Sequence, residues 1–264
     1  MSCSPNPKSN SSMPPETKSG LFVQSFARGL EVIEAFGQTP TMTLTDLAEA
    51  TGLSRATVRR FVYTLVHLGY VRATDKHFAL TPKIMNLGFA YLASQPLVEL
   101  VEPVLSNLSK ELGQSTSVSV LDGTDVVYIA RQETTSIMRI NITVGTRFPA
   151  YATSMGRVLL AGLDKAQLEA YFAQADLTEV TDYTITNEAA LRAELATVRD
   201  QGYAVVEEEL EVGLASVAVP ICNRTGTTVA AMNTSVAVTR QSPEDLTELL
   251  PPLLAAADEV SNAL

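Results

Sequence analysis

The sequence predicts an α+β protein, with an N-terminal winged helix-turn-helix followed by a mixed α/β domain that contains much antiparallel sheet. Two observations favour the first part: two short helical segments separated by a glycine turn, and a β-hairpin pattern directly after them. A third observation separates the two parts. Residues 1–95 hold nine Lys/Arg against six Asp/Glu, whereas residues 96–264 hold ten against twenty-three. The 264-residue chain, with a net charge of −10, therefore carries its acidity in the second part.

The first domain begins with two predicted helices. Ser25 is placed to cap a helix that runs to Phe36, and the segment Gly37–Thr41 breaks it. Thr43 and Asp46 then have the spacing of a capping box, which predicts the start of a second helix. Residues 1–20, which precede these helices, lack an apolar core and are predicted to be a disordered tail.

After a turn at Gly52, Ser54 is placed to cap a third helix. Its apolar residues follow the spacing of a helix with one buried face, at Val58, Phe61, Val62 and Leu65. Two short extended runs around a Thr-Asp-Lys turn follow in "YVRATDKHFALTP" and predict a β-hairpin. Together these elements predict a winged helix-turn-helix over residues 21–81.

The rest of the chain predicts a linker and then the mixed domain. A linker helix is expected over residues 82–95, and the second domain over 96–264 starts with a helix from Pro96 to Leu112. Further helices are predicted over 154–174, over 187–201 and from Ser242 to the C terminus. The predicted strands are Ser115–Leu121 and Val126–Arg131, joined by an Asp-Gly turn, and the runs "SIMRINITV", "YAVV", "LASVAVPIC" and "TTVAAMNTSVAV".

The third helix is unusual in an acidic protein, because no Asp or Glu occurs between Ala50 and Thr74. With its apolar stripe turned to the core, the residues left on or near the outer face are Ser54, Arg55, Ala56, Thr57, Arg59 and Arg60. The third helix of the chain is the second helix of the predicted helix-turn-helix. In such motifs that helix enters the major groove of DNA, where arginine is the commonest partner of guanine. Arg72, Lys76 and His77 on the wing are placed to contact phosphates. A solvated helix face or a winged helix that binds protein are the alternatives.

The second domain is predicted to bind a ligand rather than to catalyse a reaction. Both histidines, His67 and His77, lie in the first domain, so the chain supplies no Ser-His or Cys-His pair to the second. No metal-ligand spacing or phosphate-binding glycine loop occurs. We therefore expect no catalytic residue, cofactor or metal. The acidic residues Glu207–Glu209 and Glu211 leave open an enzyme that uses paired carboxylates.

A helix start in the second domain is a candidate anion site. Thr153 and Ser154 directly precede an apolar helical run. The free N–H groups and the dipole of a helix N-terminus attract a carboxylate. Simple capping of the helix accounts for the same two residues equally well.

Three segments, in order along the chain from about Ser25 to the C terminus, resemble the IclR family of bacterial transcription factors. They are "GLSRATVRRFVYTLVHLGYV", "FPAYATSMGRVLLA", and "GYAVVEEELEVGLASVAVPI" with "AAMNTS" after it. The segment "INITVGTRFPAYATSMGRVLLAG" is similar to the sequences of the branch that controls protocatechuate and 4-hydroxybenzoate catabolism. The resemblance implies a GAF-like effector domain with a small organic acid as ligand, dimers made mainly by the N-terminal domain, and often tetramers.

The effector pocket that the resemblance implies matches this chain in part. The matching positions are Ser154, Met155, Leu214, Ser216, Asn233 and Ser235. An acidic pocket residue of some members aligns with Val206, which favours a larger and less polar effector than glyoxylate or pyruvate. Arg139 and Arg147 are candidate partners for the carboxylate, because a planar guanidinium suits that group.

We therefore expect a cytoplasmic, ligand-responsive transcriptional regulator that binds a palindromic operator in double-stranded DNA as a homodimer or homotetramer. Its expected effector is protocatechuate, 4-hydroxybenzoate or a related acid. No apolar run approaches the roughly 18 residues of a membrane span, so no membrane partner is expected. The rival hypotheses are an enzyme that acts on a small carboxylic acid and a protein-interaction module.

Overall fold

The structure, a computed structural model, describes residues 22–37, 39–93, 96–134, 142–238 and 243–264. The chain divides into two compact units, with the division between residues 94 and 95. The predicted tail, Arg139 and most of the strand predicted from "SIMRINITV" lie outside the described residues. The assignment of 82–95 as a linker, separate from the first domain, stays a prediction.

The first unit contains the predicted helix-turn-helix, formed by α1 (Gln24–Ala35), α2 (Leu44–Thr51) and α3 (Arg55–His67). The capping box of α2 is confirmed: the Thr43 N–H donates to Asp46 Oδ2 at 2.8 Å, and Thr43 Oγ1 accepts from the Asp46 N–H at 3.3 Å. The prediction that Ser25 caps α1 is wrong. The helix starts at Gln24, and the residue before it, Val23, makes no side-chain cap.

The wing consists of β2 (Val71–Thr74) and β3 (His77–Leu80), which pair antiparallel as predicted. A third strand, β1 (Met42–Thr43), pairs with the other edge of β3. The strand β1 was not predicted, because two residues are too few to show an alternating pattern. The core beneath the wing and the three helices is closed by apolar side chains that include Val32, Leu47, Val58, Val62, Val71 and Phe78.

The stretch after the wing is helical, as predicted, but it opens with a 3-10 turn at Pro82–Ile84 before α4 (Met85–Ala93). Large apolar side chains of α4 are exposed, among them Met85, Leu87 and Phe89. In the part of the chain that is described, no single helix is long and apolar enough to cross a membrane. The helices over 82–92 and 96–112 reach the required length and composition only when taken together.

The second unit is built on a six-stranded sheet with the order β6-β5-β4-β9-β8-β7, and every neighbouring pair is antiparallel. The strands are β4 (Ser115–Asp122), β5 (Asp125–Gln132), β6 (Arg147–Pro149), β7 (Ala204–Glu207), β8 (Leu214–Cys222) and β9 (Thr228–Ala237). This sheet, with the helices around it, confirms the predicted mixed α/β domain with antiparallel sheet. The short edge strand β6 was not predicted.

Helices cover both faces of this sheet. The helices are α5 (Pro96–Leu112), α6 (Ser154–Ala161), α7 (Lys165–Phe172), α8 (Glu188–Gln201), α9 (Pro243–Glu248) and α10 (Leu250–Ala263). Residues of α5 and α10 form one apolar core with the sheet, and residues of α6 and α8 form another on the opposite face.

Two predicted helices are each interrupted in the structure. The helix predicted over 154–174 is wrong as a single element: α6 ends at Ala161, and Asp164 caps α7 in a capping box with Gln167. The predicted final helix is likewise divided into α9 and α10 at Leu249. Two prolines follow directly at the start of α10, where their missing N–H groups cost nothing.

Candidate functional site

Helix α3 separates a buried face from a polar one within four turns. Ser54 caps it, with Ser54 Oγ accepting from the Thr57 N–H at 3.2 Å. Val58, Val62 and Leu65 are buried in the core of the first unit, as predicted, and Phe61 packs against that core half-buried. The cap and the apolar stripe therefore fix which side of the helix faces outward.

The outward side of α3 carries three cations without acidic partners. Arg55, Arg59 and Arg60 are exposed, and none of them forms a salt bridge with an acid among the described residues. The Arg59 guanidinium lies 5.5 Å from the centre of the Tyr63 ring, a cation–π contact one helical turn further along. Ala56 is also exposed, whereas the Thr57 hydroxyl lies 2.8 Å from Ser54 Oγ and so contributes to the cap.

The wing adds further exposed cations to the same unit. Arg72 on β2 and Lys76 in the turn are exposed, and so is His77 at the start of β3. The turn between the strands is made by Asp75, which has φ of 56° in the left-handed region that aspartate tolerates. The first unit thus presents basic side chains on a helix and on a hairpin tip, the two elements that contact DNA in a winged helix-turn-helix.

A small cavity, here called the α6 cavity, lies in the second unit between the N-terminus of α6 and the sheet. Its volume is about 20 Å³, close to that of a single water molecule. Its lining comes from the start of α6, from four strands and from the loops beside them: Tyr128, Ile142, Ala152, Thr153, Ser154, Val206, Leu210, Leu214, Ser216, Asn233 and Ser235. The lining therefore combines apolar side chains with a few hydroxyl and amide groups, as in many small-molecule sites.

Five of the seven effector residues predicted from the sequence line the α6 cavity: Ser154, Leu214, Ser216, Asn233 and Ser235. Val206, aligned with an acidic residue of some members, also lines it. Met155 does not; its side chain is fully buried in the core between α6 and the sheet. Arg139 lies outside the described residues.

Arg147, the other arginine considered for the carboxylate, lies elsewhere. It sits on the edge strand β6, where its Nη1 donates to Asp122 Oδ2 at 2.7 Å and its Nε to Asp125 Oδ2 at 3.2 Å. These contacts raise the pKa of the guanidinium, chiefly through the hydrogen bond with Asp122. Arg147 is therefore paired with two acids at the turn between β4 and β5 and is not part of the lining of the α6 cavity.

The polar groups of the α6 cavity come from three elements. The hydroxyl oxygens of Ser154 on α6 and Ser216 on β8 lie 2.8 Å apart. On β9, Asn233 Nδ2 donates to Ser235 Oγ at 3.3 Å. Thr153 caps α6 by accepting from the Gly156 N–H at 3.0 Å, so the N-terminus of the helix faces the cavity with its dipole.

Tyr128 supplies a neutral phenol to the wall of the cavity. Burial raises its pKa to about 12, although the nearby charge of Arg131 acts in the opposite direction. Its hydroxyl group therefore stays protonated over the physiological range of pH. Among the described residues, no group of three or more His, Cys, Asp or Glu side chains could hold a metal ion.

Two residues of the acidic run that left open an enzyme, Glu208 and Glu209, make structural contacts. Glu209 accepts from Arg157 Nη2 at 2.6 Å and from the Ile185 N–H at 3.0 Å, and both charged side chains are buried. Glu208 Oε1 accepts from the Gly213 N–H at 2.7 Å and so closes the loop that carries Leu210. Sequence analysis did not single out Arg157, because one arginine on an amphipathic helix is normally solvated.

Comparison with known families covers most of the chain. The model of the IclR helix-turn-helix domain matches residues 25–75, and the model described as bacterial transcriptional regulator IclR C-terminal matches residues 89–262. The predicted resemblance is thereby confirmed for both units.

Two curated relatives and one solved structure place the chain more narrowly. The Pca regulon regulatory protein of Pseudomonas putida is 41% identical over 92% of this chain and 84% of its own length. The p-hydroxybenzoate hydroxylase transcriptional activator of Acinetobacter baylyi is 34% identical over 94% of each chain. The inducer-binding domain of a PobR double mutant from Acinetobacter, in complex with 3-hydroxybenzoic acid, is 33% identical with a TM-score of 0.59, over 63% of this chain and 98% of that one. All three are regulators of transcription rather than enzymes, in the branch that the sequence predicted.

Proposed function

The chain belongs to the IclR family of bacterial transcriptional regulators, and from this premise we propose that it binds a palindromic operator through α3 and responds to an aromatic acid in the α6 cavity. The observation that carries the DNA half is the outward face of α3, with Arg55, Arg59 and Arg60 unpaired by any described acid. An ordinary exposed helix pairs charges of opposite sign at i, i+4. A helix of one sign is instead complementary to the phosphates and guanine edges of DNA.

DNA binding is tested by fluorescence anisotropy with the DNA upstream of the protein's own gene and its neighbours. The double variant Arg55→Ala/Arg59→Ala should lose at least about 10-fold in affinity for the specific site, since one arginine–guanine pair discriminates by roughly 1–3 kcal/mol. The matched control is Lys165→Ala/Arg224→Ala, which removes two exposed cations of the second unit. Unchanged sequence-specific affinity of the α3 variant would show that the recognition-helix assignment is wrong.

The proposed effector is a hydroxylated aromatic acid such as protocatechuate or 4-hydroxybenzoate. The lining supports this class, because Tyr128, Ile142 and Val206 offer apolar contact to a ring while hydroxyl and amide groups remain for its polar substituents. The structural relative in complex with 3-hydroxybenzoic acid supports the same class of ligand.

A thermal-shift panel of aromatic and dicarboxylic acids tests the effector. A ligand that binds only the folded protein raises its stability by about 2.7 kcal/mol at a hundred times its Kd, which is a readily measured shift in Tm. We expect the largest shift with a hydroxybenzoate and a smaller one with the unsubstituted benzoate. An unchanged Tm with every acid of the panel would rule out the proposed effector class.

The regulator is further proposed to act in the cytoplasm as a homodimer, or as a tetramer made of dimers, through its first unit. Phe26 and Leu30, one turn apart on α1, are exposed, as is Phe22 just before the helix, and α4 exposes Met85, Leu87 and Phe89. Contiguous exposed apolar side chains of this size mark interaction surfaces. Two-fold symmetry then places the recognition helices on half-sites about 34 Å, or a multiple of that, apart.

A further inference from the structure

A row of side chains that includes one wall of the α6 cavity continues across the sheet to a buried arginine. Ser117 on β4 lies opposite Asn233 on β9 and, on its other side, opposite Arg131 on β5. Residues directly opposite each other in an antiparallel sheet project from the same face, with Cβ atoms about 4.5–5.5 Å apart. Because Asn233 lines the α6 cavity, Ser117 and Arg131 also lie on the cavity face of the sheet.

The Arg131 side chain is directed along this row and is only 7% exposed. Its Nη1 donates to Ser117 Oγ at 3.1 Å, so the guanidinium extends from β5 toward Asn233. Its acidic partner is Glu133, whose Oε1 lies 3.4 Å from both Nε and Nη2 and whose side chain is 59% exposed. Long contacts to a solvated carboxylate contribute little, so another carboxylate can replace Glu133 at modest cost.

The other end of the row holds a buried polar atom without a partner. Asn233 is 4% exposed, and its Oδ1 has no hydrogen-bond partner among the described residues. A guanidinium has five N–H groups, and only three of those of Arg131 are engaged by Ser117 and Glu133 in the described part of the chain. The row therefore offers free donors on a cation at one end and a buried acceptor at the other. A bound molecule with both a carboxylate and a hydroxyl group would satisfy the two ends, and unsatisfied buried polar atoms are otherwise costly.

We propose that Arg131 binds the carboxylate of the effector, which takes the place of Glu133, while Asn233 Oδ1 accepts a hydrogen bond from the hydroxyl group of the ligand. This inference rests on the proposed function and names the residue that selects an acid over a neutral ring. In the absence of ligand, Glu133 neutralises the buried cation. When the effector binds, Glu133 is released at the end of β5 while the charge of Arg131 remains paired.

The test is isothermal titration calorimetry of the full chain with 4-hydroxybenzoate and with the neutral 4-hydroxybenzamide. We expect the wild-type protein to prefer the acid by about 10-fold or more, because charge-assisted bidentate contacts are the strong ones. Arg131→Gln should bring the two affinities to within about threefold of each other by lowering only that for the acid. Arg147→Gln is the matched control, since it removes an arginine of the same unit that is held by Asp122 and Asp125 away from the cavity.

A second pair of variants keeps the test decisive if Arg131→Gln unfolds. Glu133→Gln removes the competing carboxylate from an exposed side chain and should raise the affinity for the acid several-fold while leaving that for the amide unchanged. Arg131→Lys should retain part of the preference for the acid. A preference for the acid that is unaffected by all these changes overturns the role of Arg131 and leaves the proposed function standing. If the wild-type protein binds neither compound, both the inference and the proposed effector class fail.

Discussion

At the scale of single residues, the ion pair of Arg157 and Glu209 determines the position of a wall of the α6 cavity. Arg157 is 2% exposed; besides the Glu209 carboxylate it donates through Nε to the Tyr151 carbonyl at 3.2 Å. Glu209 belongs to the loop that carries Leu210, so the pair fastens this loop to α6. A buried charge that loses its partner is destabilising, because its desolvation is no longer compensated.

We expect Arg157→Met to lower the free energy of unfolding by about 3–5 kcal/mol, because it leaves Glu209 buried and unpaired. The double variant Arg157→Met/Glu209→Gln should lose clearly less stability than the two single variants lose together, since it removes both charges of the buried pair. Urea unfolding of the four proteins measures this coupling. Additive losses would contradict it, and Glu188→Gln in the exposed pair with Arg192 is the control, with an expected loss below about 1 kcal/mol.

The residues of the cavity differ in how far the sequence predicts them. Ser154, Ser216 and Asn233 were predicted from the resemblance to a family, because an alignment identifies pocket positions without any knowledge of the three-dimensional structure. Arg131 is not predicted in this way, because only strand pairing on either side of β4 brings it into one row with Asn233, a hundred residues further along the chain. Met155 shows the converse: one step along a helix turns a side chain by about 100°, here from the cavity into the core.

At the scale of elements, local chemistry predicts some helix boundaries and misses others. The capping box at Thr43 and the cap at Ser54 were both found from short spacings, and both are present in the structure. The division after α6 was missed, although Gly162 and the cap residue Asp164 supplied a local signal for it. The two-residue β1 and the three-residue β6 depend on pairing with strands already in place, which no local pattern records.

Helix α6 also shows why a glycine stands at its third position. A Cβ atom at Gly156 would overlap the carbonyl oxygen of Ala150, so the 3-10 turn at Ala150–Ala152 packs directly on the helix backbone. This close approach holds the N-terminus of α6, with Ser154, beside β8. The sequence "TSMGRV" therefore encodes a cap, a cavity residue, a core residue, a close contact and a buried ion in its first five positions.

At the scale of the whole molecule, the two units differ in charge. The overall charge of −10 would repel DNA, but the acidic residues are concentrated after residue 95, which leaves the part of the chain before it with an excess of cations. This asymmetry was fully readable from the sequence. The exposure of the apolar side chains of α1 and α4 could not be predicted from the sequence. A periodic apolar stripe looks the same whether it faces a core or a second chain.

We expect Phe26→Glu to weaken self-association by at least about 10-fold, because it places a charge on a side chain that a dimer would bury; this corresponds to about 1.4 kcal/mol. Phe26 is 69% exposed in one chain, so the fold itself should tolerate the change. Sedimentation velocity over a series of protein concentrations measures the loss. Val212→Glu, at an exposed position of the second unit, is the control and should leave self-association unchanged. If Phe26→Glu also leaves self-association unchanged, the interface does not include α1.

For a regulator that binds its effector in the α6 cavity, as proposed above, the small volume of this cavity sets the concentration at which the regulator responds. A space of about 20 Å³ admits one water molecule, so a ring-sized inducer binds only the fraction of molecules in which the lining side chains have moved apart. The apparent affinity is the intrinsic affinity reduced by that fraction. Trimming Leu210 or Ile142 would then sensitise the cell to lower inducer levels without adding a single contact, so the threshold of the genetic switch can evolve separately from its chemical specificity.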